Sequence, residues 1–361
     1  MARIVAVTAA ELTPERAAFL SHLHWLHAFN TLAGFDSTPG GGMSRSLLRL
    51  AQAAAAIPVP RVPPGNYREV IGCLNRAWGT ELVLCGARQF ANEDELIRVV
   101  NSWAAVQAYY AVYGAAQAVI TAEGHDRPES HEFTQRMYSD LWIARSMVLS
   151  PWTFAVTSKG AKGAAADGTV NGPGRTLAPV SALSGCTEAN CWELAEQALR
   201  GTREDGLTVA KEKAVIEEGK RRRREWTAEE KLRLDAGRRS RAHPPWWDAK
   251  PHLSADQKQM LERRLRPYTL LDYLCRLRLK ANYSDARMYT EGPADQSEAE
   301  AMSAQFIHLT AATLIVHEVR VAKLVSRDRF MKSVDAWLAK NAPQISGFGI
   351  AGRRNLLDRA L

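Results

Sequence analysis

The sequence predicts an all-α protein, and three observations carry that reading. Residues 93–122 hold one unbroken helical pattern that is apolar over most of its circumference. Two further helical patterns, 258–283 and 295–326, follow later in the chain. Glycine- and proline-rich stretches separate the periodic segments, as connectors should. With 361 residues and a 46% hydrophobic composition, the chain is long enough to bury a sizeable core.

In chain order, Thr13 is expected to cap a first helix with Pro14 at its first position. Phe19, Leu23, Leu26 and Asn30 then follow helical spacing. His22, His24 and His27 read as packing or surface histidines, because His22 and His24 cannot share a helical face. STPGGGMS breaks the chain, SRSLLRLAQAAAAI forms a short second helix, and IPVPRVPPGN is a stiff connector. YREVIGCLNRAWGTELVLCG resumes helix or a mixed segment, so residues 1–91 form a helical extension.

Residues 92–155 supply the first half of a bundle. Ala and Gly at 111, 114, 115, 116 and 118 permit close helix approach. Trp103, Val106, Tyr110, Gly114 and Gln117 share one side of that helix. It ends near EGHDRP, and a second helix runs on to Pro151. There His131, Gln135, Tyr138, Trp142 and Arg145 recur as a polar-aromatic stripe, with Met137, Leu141 and Val148 as neighbouring core contacts.

Residues 156–257 read as a Gly-rich and basic insertion: a flexible loop, a short helix near CTEANCWELAEQALR, a charged and partly helical stretch, and the rigid turn AHPPWWDAKPH. Residues 258–326 supply the second half of the bundle, bent near Pro267, with Phe306, Leu309, Leu314 and Val321 on its packed side. The tail, 327–361, has too little periodicity to interpret.

The net charge of +8 is unevenly spread. Residues 211–241 carry twelve Lys or Arg against seven acids, and residues 258–280 carry seven against two. That asymmetry allows a nucleic-acid or acidic-protein partner, although solvated helices carry similar runs. The five scattered cysteines do not form a disulfide framework. Cys186 and Cys191 miss the usual zinc-hook spacing, and no phosphate-binding loop or serine elbow is present, so neither metal nor cofactor is expected. Polar residues interrupt every long apolar window, which argues against a membrane span and makes the cytoplasm the default location.

Three motifs follow one another in order: YYAVYGAAQAVI at 109–120, RPESHEF at 127–133, and RLKANY at 278–283. That order resembles the HEPN superfamily of helical domains, most of all its small bacterial members. YYAVYGAAQAVI is similar to the tyrosine-rich first helix of that family. Arg127 and His131 in RPESHEF match the opening of the next helix, and RLKANY from Arg278 to Tyr283 matches the later motif, with Asn282 where an acid is common. The resemblance implies a HEPN-like helical bundle with an N-terminal helical extension and a long partly helical insertion. It also implies RNA binding or metal-independent RNA cleavage, with sites paired across a homodimer and roles in bacterial stress or phage defence. In the family's catalytic motif an arginine precedes a histidine by four to six intervening residues. Here Tyr283 occupies the matching position, and tyrosine, whose free pKa is near 10, is a poor base at neutral pH. Arg127 and His131 are too close together, while Arg238 and His243 fit the spacing but lie in the insertion.

A site could therefore combine His131, Arg145, Arg278 and Tyr283 as catalytic groups with Tyr138 and Asn282 as orienting groups. The alternative is a polar seam that fixes bundle register. In the insertion, Arg221, Arg222, Arg223, Arg224, Arg238, Arg239 and Arg241 could contact phosphates while Trp226, Trp246 and Trp247 stack on bases. The same tryptophans could instead anchor the insertion to the bundle or to a protein. Two functions follow: a HEPN-like RNA-binding protein or ribonuclease, or a noncatalytic scaffold or nucleic-acid adaptor that uses 156–257 to join a protein complex.

Overall fold

The apolar stretch at the centre of the sequence forms one helix, α4 (Asp94–Ala122), and the other elements are arranged around it. The computed structural model describes residues 12–35, 42–60, 66–86, 89, 93–143, 148–173, 180–249, 251–341 and 349–361. Among these residues are twelve α-helices and one two-stranded antiparallel sheet, so the protein is all-α. From Ala111 to Ala122, α4 is buried at every position except Tyr113. Its first half is different: Leu96, Val99 and Trp103 face outward, and Trp103 is 59% exposed.

Two long helices, α3 (Tyr67–Gly86) and α10 (Gln296–Val325), flank α4. Gly114 sets the approach of α3, since a Cβ there would come within 3.2 Å of both Ala77 Cβ and the Cys73 carbonyl. That is the role the small residues were expected to play. Asp295 caps α10 by accepting from the Glu298 amide at 3.0 Å. Glu298 also pairs with Arg16 of α1 (Pro14–Leu32), whose own cap is Thr13 and whose first residue is proline, as expected. By length and composition α10 would also suit a membrane, yet 72% of its most apolar window is buried by the bundle.

One hydrophobic cluster runs from Phe19 to Leu357 and crosses every sequence boundary. The tail contributes α11 (Arg327–Asn341) and α12 (Ile350–Ala360), and α12 packs on α2 (Met43–Ala56) and α10. It also brings in Arg353, which is fully buried. That guanidinium donates to Glu81 of α3 at 2.9 Å and to Glu318 of α10 at 2.7 and 3.0 Å. Trp78 Nε1 donates to the same Glu318 at 2.8 Å. A second buried pair, Arg320 with Glu123, joins α10 to the end of α4.

Residues expected as a short helix and a separate charged stretch form a single helix, α6 (Cys191–Asp235). Its glycines are contact positions: a Cβ at Gly206 would overlap the Tyr268 hydroxyl, and one at Gly201 would stand 3.0 Å from Arg276 Nη1. The Gly-rich segment before it is not simply a loop. It forms a hairpin of β1 (Ala155–Val156) and β2 (Thr169–Val170), closed by Gly168 at φ +86°. Val156 also exchanges backbone hydrogen bonds with Tyr268 at 2.8 and 3.0 Å. Those bonds and Pro267 hold an extended break between α7 (Ala255–Arg264) and α8 (Leu270–Leu279) where a bend was expected. Within the second bundle helix, α5 (His131–Ile143), Leu141 is buried, whereas Val148 beyond it is 70% exposed rather than in the core.

Replacing Arg353 with alanine leaves Glu81 and Glu318 as uncompensated buried carboxylates. The expected loss is about 3–5 kcal/mol of unfolding free energy in urea denaturation. A loss below about 1 kcal/mol, the scale of an exposed pair, would show that the network contributes little. His317 on α10 supplies a second test. Its ring stacks on Tyr138 at 5.6 Å between centroids, and burial holds its pKa down to about 3. The unfolded chain binds the proton that this folded ring refuses, so its stabilising contribution is present above pH ~6.5 and falls as pH drops toward 3. The expected slope is about 1.4 kcal/mol per pH unit for this group, and His317→Gln should flatten the pH dependence of stability by about one proton.

Candidate functional site: an arginine-lined cleft beside the tyrosine helix

The cleft opens where α5, α6 and α8 meet. Asp272 fixes the start of α8: its carboxylate accepts from the Thr269 amide at 2.7 Å and pairs with Arg266 at 2.9 Å. Arg266 also donates to Gln135 of α5 at 3.1 Å, which sets the spacing between the two helices. One turn further along α8 stand Cys275, Arg276 and Arg278. The resulting cleft has a volume of about 840 Å³ and is lined by seven Arg or Lys side chains against three carboxylates. Arg266 is paired with Asp272 and Arg276 with Asp205 at 2.6 Å. Among the described residues, Arg136, Lys213, Arg264 and Arg278 have no ion pair, so the cleft keeps an excess of positive charge.

At one end of the cleft the tyrosines of α4 meet His131, the first residue of α5. The Tyr109 hydroxyl and His131 Nδ1 are 2.7 Å apart, and the Tyr113 ring lies 4.6 Å from the imidazole. Arg278 donates to the Tyr110 hydroxyl at 2.9 Å, and its guanidinium lies over the rings of Tyr109 and Tyr110 at 5.2 and 5.6 Å. Burial, then the positive charge of Arg278, lowers the His131 pKa below its usual 6.5, so the imidazole is neutral at pH 7. Burial also raises the Tyr109 hydroxyl and the Cys275 thiol above their usual values. Both stay protonated. In the tautomer in which His131 Nδ1–H donates to the phenol oxygen, Nε2 keeps its lone pair for proton transfer.

Of the residues expected from sequence, His131 and Arg278 come together in this cleft. Tyr138 does not join them. It is buried against His317 and Trp142, with centroids 5.6 and 5.9 Å away, because the stripe on α5 turns toward α10 after Gln135. Asn282 is exposed on the widened π-helical turn Lys280–Ser284 that ends α8. Tyr283 belongs to that same turn, and its side chain, like all of Arg145, lies outside the described residues.

The basic residues of the insertion gather elsewhere, on the distal half of α6 and the chain that folds back along it. His243 stacks on Trp247 at 4.1 Å with the rings 2° from parallel, while Trp226 meets both rings edge-on. Trp246 lies beside Trp247 at 6.1 Å. Arg223 donates to the Trp247 carbonyl at 2.8 Å, Arg241 pairs with Glu230 at 2.7 Å, and Arg221 and Arg222 pair with Glu218 at 2.9 and 2.7 Å. Arg224, Arg238 and Arg239 are exposed. Within this clasp Arg221, Arg222, Arg223 and Arg241 are engaged by neighbouring groups. Its His243 packs beside Trp226, about 50 Å along α6 from Cys191 by helical rise.

The sequence reading left Tyr109, Cys275, Arg266 and Asp272 out of the site, and it placed Gln135 on the His131 stripe without its link to Arg266. A signal was present in the cationic surplus of 258–280, which is where the cleft takes five of its cations. Fold and cleft together define an all-α protein with a histidine and a cluster of arginines in one polar cleft. Comparisons with known families, characterised proteins and solved structures found no match.

Proton NMR of the histidines tests the electrostatics. His131 should titrate with a midpoint below 6.5, and Arg278→Gln should move that midpoint upward because a neighbouring positive charge is removed. A midpoint unmoved by the substitution would place the cause of the shift elsewhere.

Proposed function

We propose that this is a HEPN-like RNA-binding protein that cleaves RNA without a metal ion at the His131–Arg278 cleft. The observation that carries the reading is the neutral His131 imidazole sharing one cation-lined cleft of about 840 Å³ with Arg278. In such a reaction the imidazole takes the 2′-hydroxyl proton as the 2′-oxygen attacks phosphorus. A 2′,3′-cyclic phosphate forms, the bond to the 5′-oxygen breaks, and the imidazolium returns the proton to that leaving oxygen. Arg278 and the unpaired cations Arg136, Arg264 and Lys213 offset the charge on phosphate. The exposed Phe133 with Arg136 stacked on its ring at 4.8 Å offers a surface for a base.

A noncatalytic nucleic-acid adaptor is the second reading. Two observations favour it: Tyr283 takes the place of the family's histidine, and Arg278 is already engaged by Tyr110.

One experiment separates the two. Labelled single-stranded RNA is followed by anisotropy and by gel in EDTA. Cleavage to cyclic-phosphate products, reduced about 10²-fold or more by His131→Gln and by Arg278→Gln, is the expected result for an enzyme. Binding that weakens steeply with salt, and weakens further in Arg264→Gln and Lys213→Gln, without any cleavage would establish the adaptor. Absence of both binding and cleavage overturns both readings.

A further inference from the structure

We propose that a second cleft, between α3 and α4, binds a small planar aromatic anion, a flat ring bearing a phosphate or a carboxylate. This cleft has a volume of about 530 Å³, within the usual range for small-molecule sites. Its Tyr110 is linked to the arginine-lined cleft through the hydrogen bond from Arg278, but it has its own cations, Arg76 and Arg127.

The charge comes from those two arginines. Arg127 is exposed, and no ion pair or hydrogen bond engages its guanidinium among the described residues. Arg76 donates to Cys73 Sγ at 3.2 Å, and a thiol is a weak acceptor. Both guanidiniums belong to residues that line the same cleft. Glu129 also lines the cleft, but it forms no ion pair with either arginine among the described residues. Two neighbouring guanidiniums without a bound carboxylate favour an anion.

The preference for a flat ring comes from the walls. Tyr110 and Tyr113 stand with their rings 6.4 Å apart and 89° from parallel, so a flat ligand can lie against one face and meet the other. The cleft is preformed. Gln117 donates to the Tyr113 hydroxyl at 3.1 Å and to the Pro128 carbonyl at 2.7 Å, which ties the aromatic wall to the segment carrying Arg127. Gly114 lets α3 approach closely enough for Arg76 to face those rings across the cleft.

Calorimetric titration of the full chain with phenyl phosphate, benzoate, inorganic phosphate and uridine tests this inference. The expected result is binding of phenyl phosphate or benzoate, with inorganic phosphate and uridine each weaker by about tenfold, the size of one lost charge-assisted contact. The relative affinities of phenyl phosphate and benzoate identify the anionic group. Arg127→Gln, at an exposed position, should weaken the preferred ligand about tenfold, and Arg76→Gln should do the same. Arg264→Gln, in the other cleft, should change its affinity less than about twofold, the ordinary limit for a distant site. The proposal is overturned if neither aromatic anion binds, if inorganic phosphate binds as tightly as phenyl phosphate, or if both arginine variants keep full affinity.

Discussion

Everything near the tyrosine helix depends on the buried ion network centred on Arg353. One guanidinium from α12 holds a carboxylate of α3 and another of α10, the two helices between which α4 lies. The carboxylates outnumber the guanidinium, and Trp78 supplies the extra donor to Glu318. Burial raises the Glu81 pKa while Arg353 opposes that shift, so the carboxylate is retained in the core by its partner. Such a network stabilises little compared with a well-packed apolar core, but removing one member is severe. Its main contribution is registry. It fixes which turn of α3 faces α10, and thereby where Gly114 meets Ala77 and where the tyrosines emerge.

The arginine-lined cleft repeats the logic at lower burial. Asp272 serves as helix cap and as partner of Arg266, and Arg266 reaches Gln135 on the facing helix. A carboxylate at the start of α8 is favoured by the helix dipole and by the free amides there. The arginines that follow on the same helix are then directed into the cleft. Among the cations lining the cleft, the charge is partly neutralised at Arg276 and left open at Arg278 of α8, Arg264 of α7, Arg136 of α5 and Lys213 of α6. That difference separates structural cations from available ones.

The helices were largely legible in the sequence because their patterns are long. Thr13 and Pro14, the span of α4 and the start of α10 follow from capping chemistry and periodicity. The continuous α6 was less legible, since Gly201, Gly206 and Gly219 look like breaks until their neighbours are known; at Gly206 and Gly201 those neighbours are Tyr268 and Arg276. α12 is eleven residues long, too short for its apolar period to stand out, and the role of Arg353 depends on partners from two distant segments. The site was half legible. His131 and Arg278 were named from motif order, but Tyr109 read as core because it is core; its hydroxyl gains a chemical role only through the His131 that α5 brings to it. Tyr138 shared its sequence stripe with His131 and yet belongs to a different interface, because a stripe on a short helix can face two neighbours in succession.

α6 has a mechanical consequence. Its first turns are anchored in the hydrophobic cluster through Leu194, Ala198 and Leu199, whereas beyond the cleft it is held by α7 and the aromatic clasp. Local opening free energy therefore falls steeply along one continuous rod. The clasp can detach and the distal turns can fray while the anchored turns keep their shape. A load applied at Trp226 reaches the cleft wall about 30 Å away, at Asp205, only while the intervening turns stay wound. The helix thus joins the clasp to the cleft through one continuous rod whose outer half lacks the core contacts of its inner half.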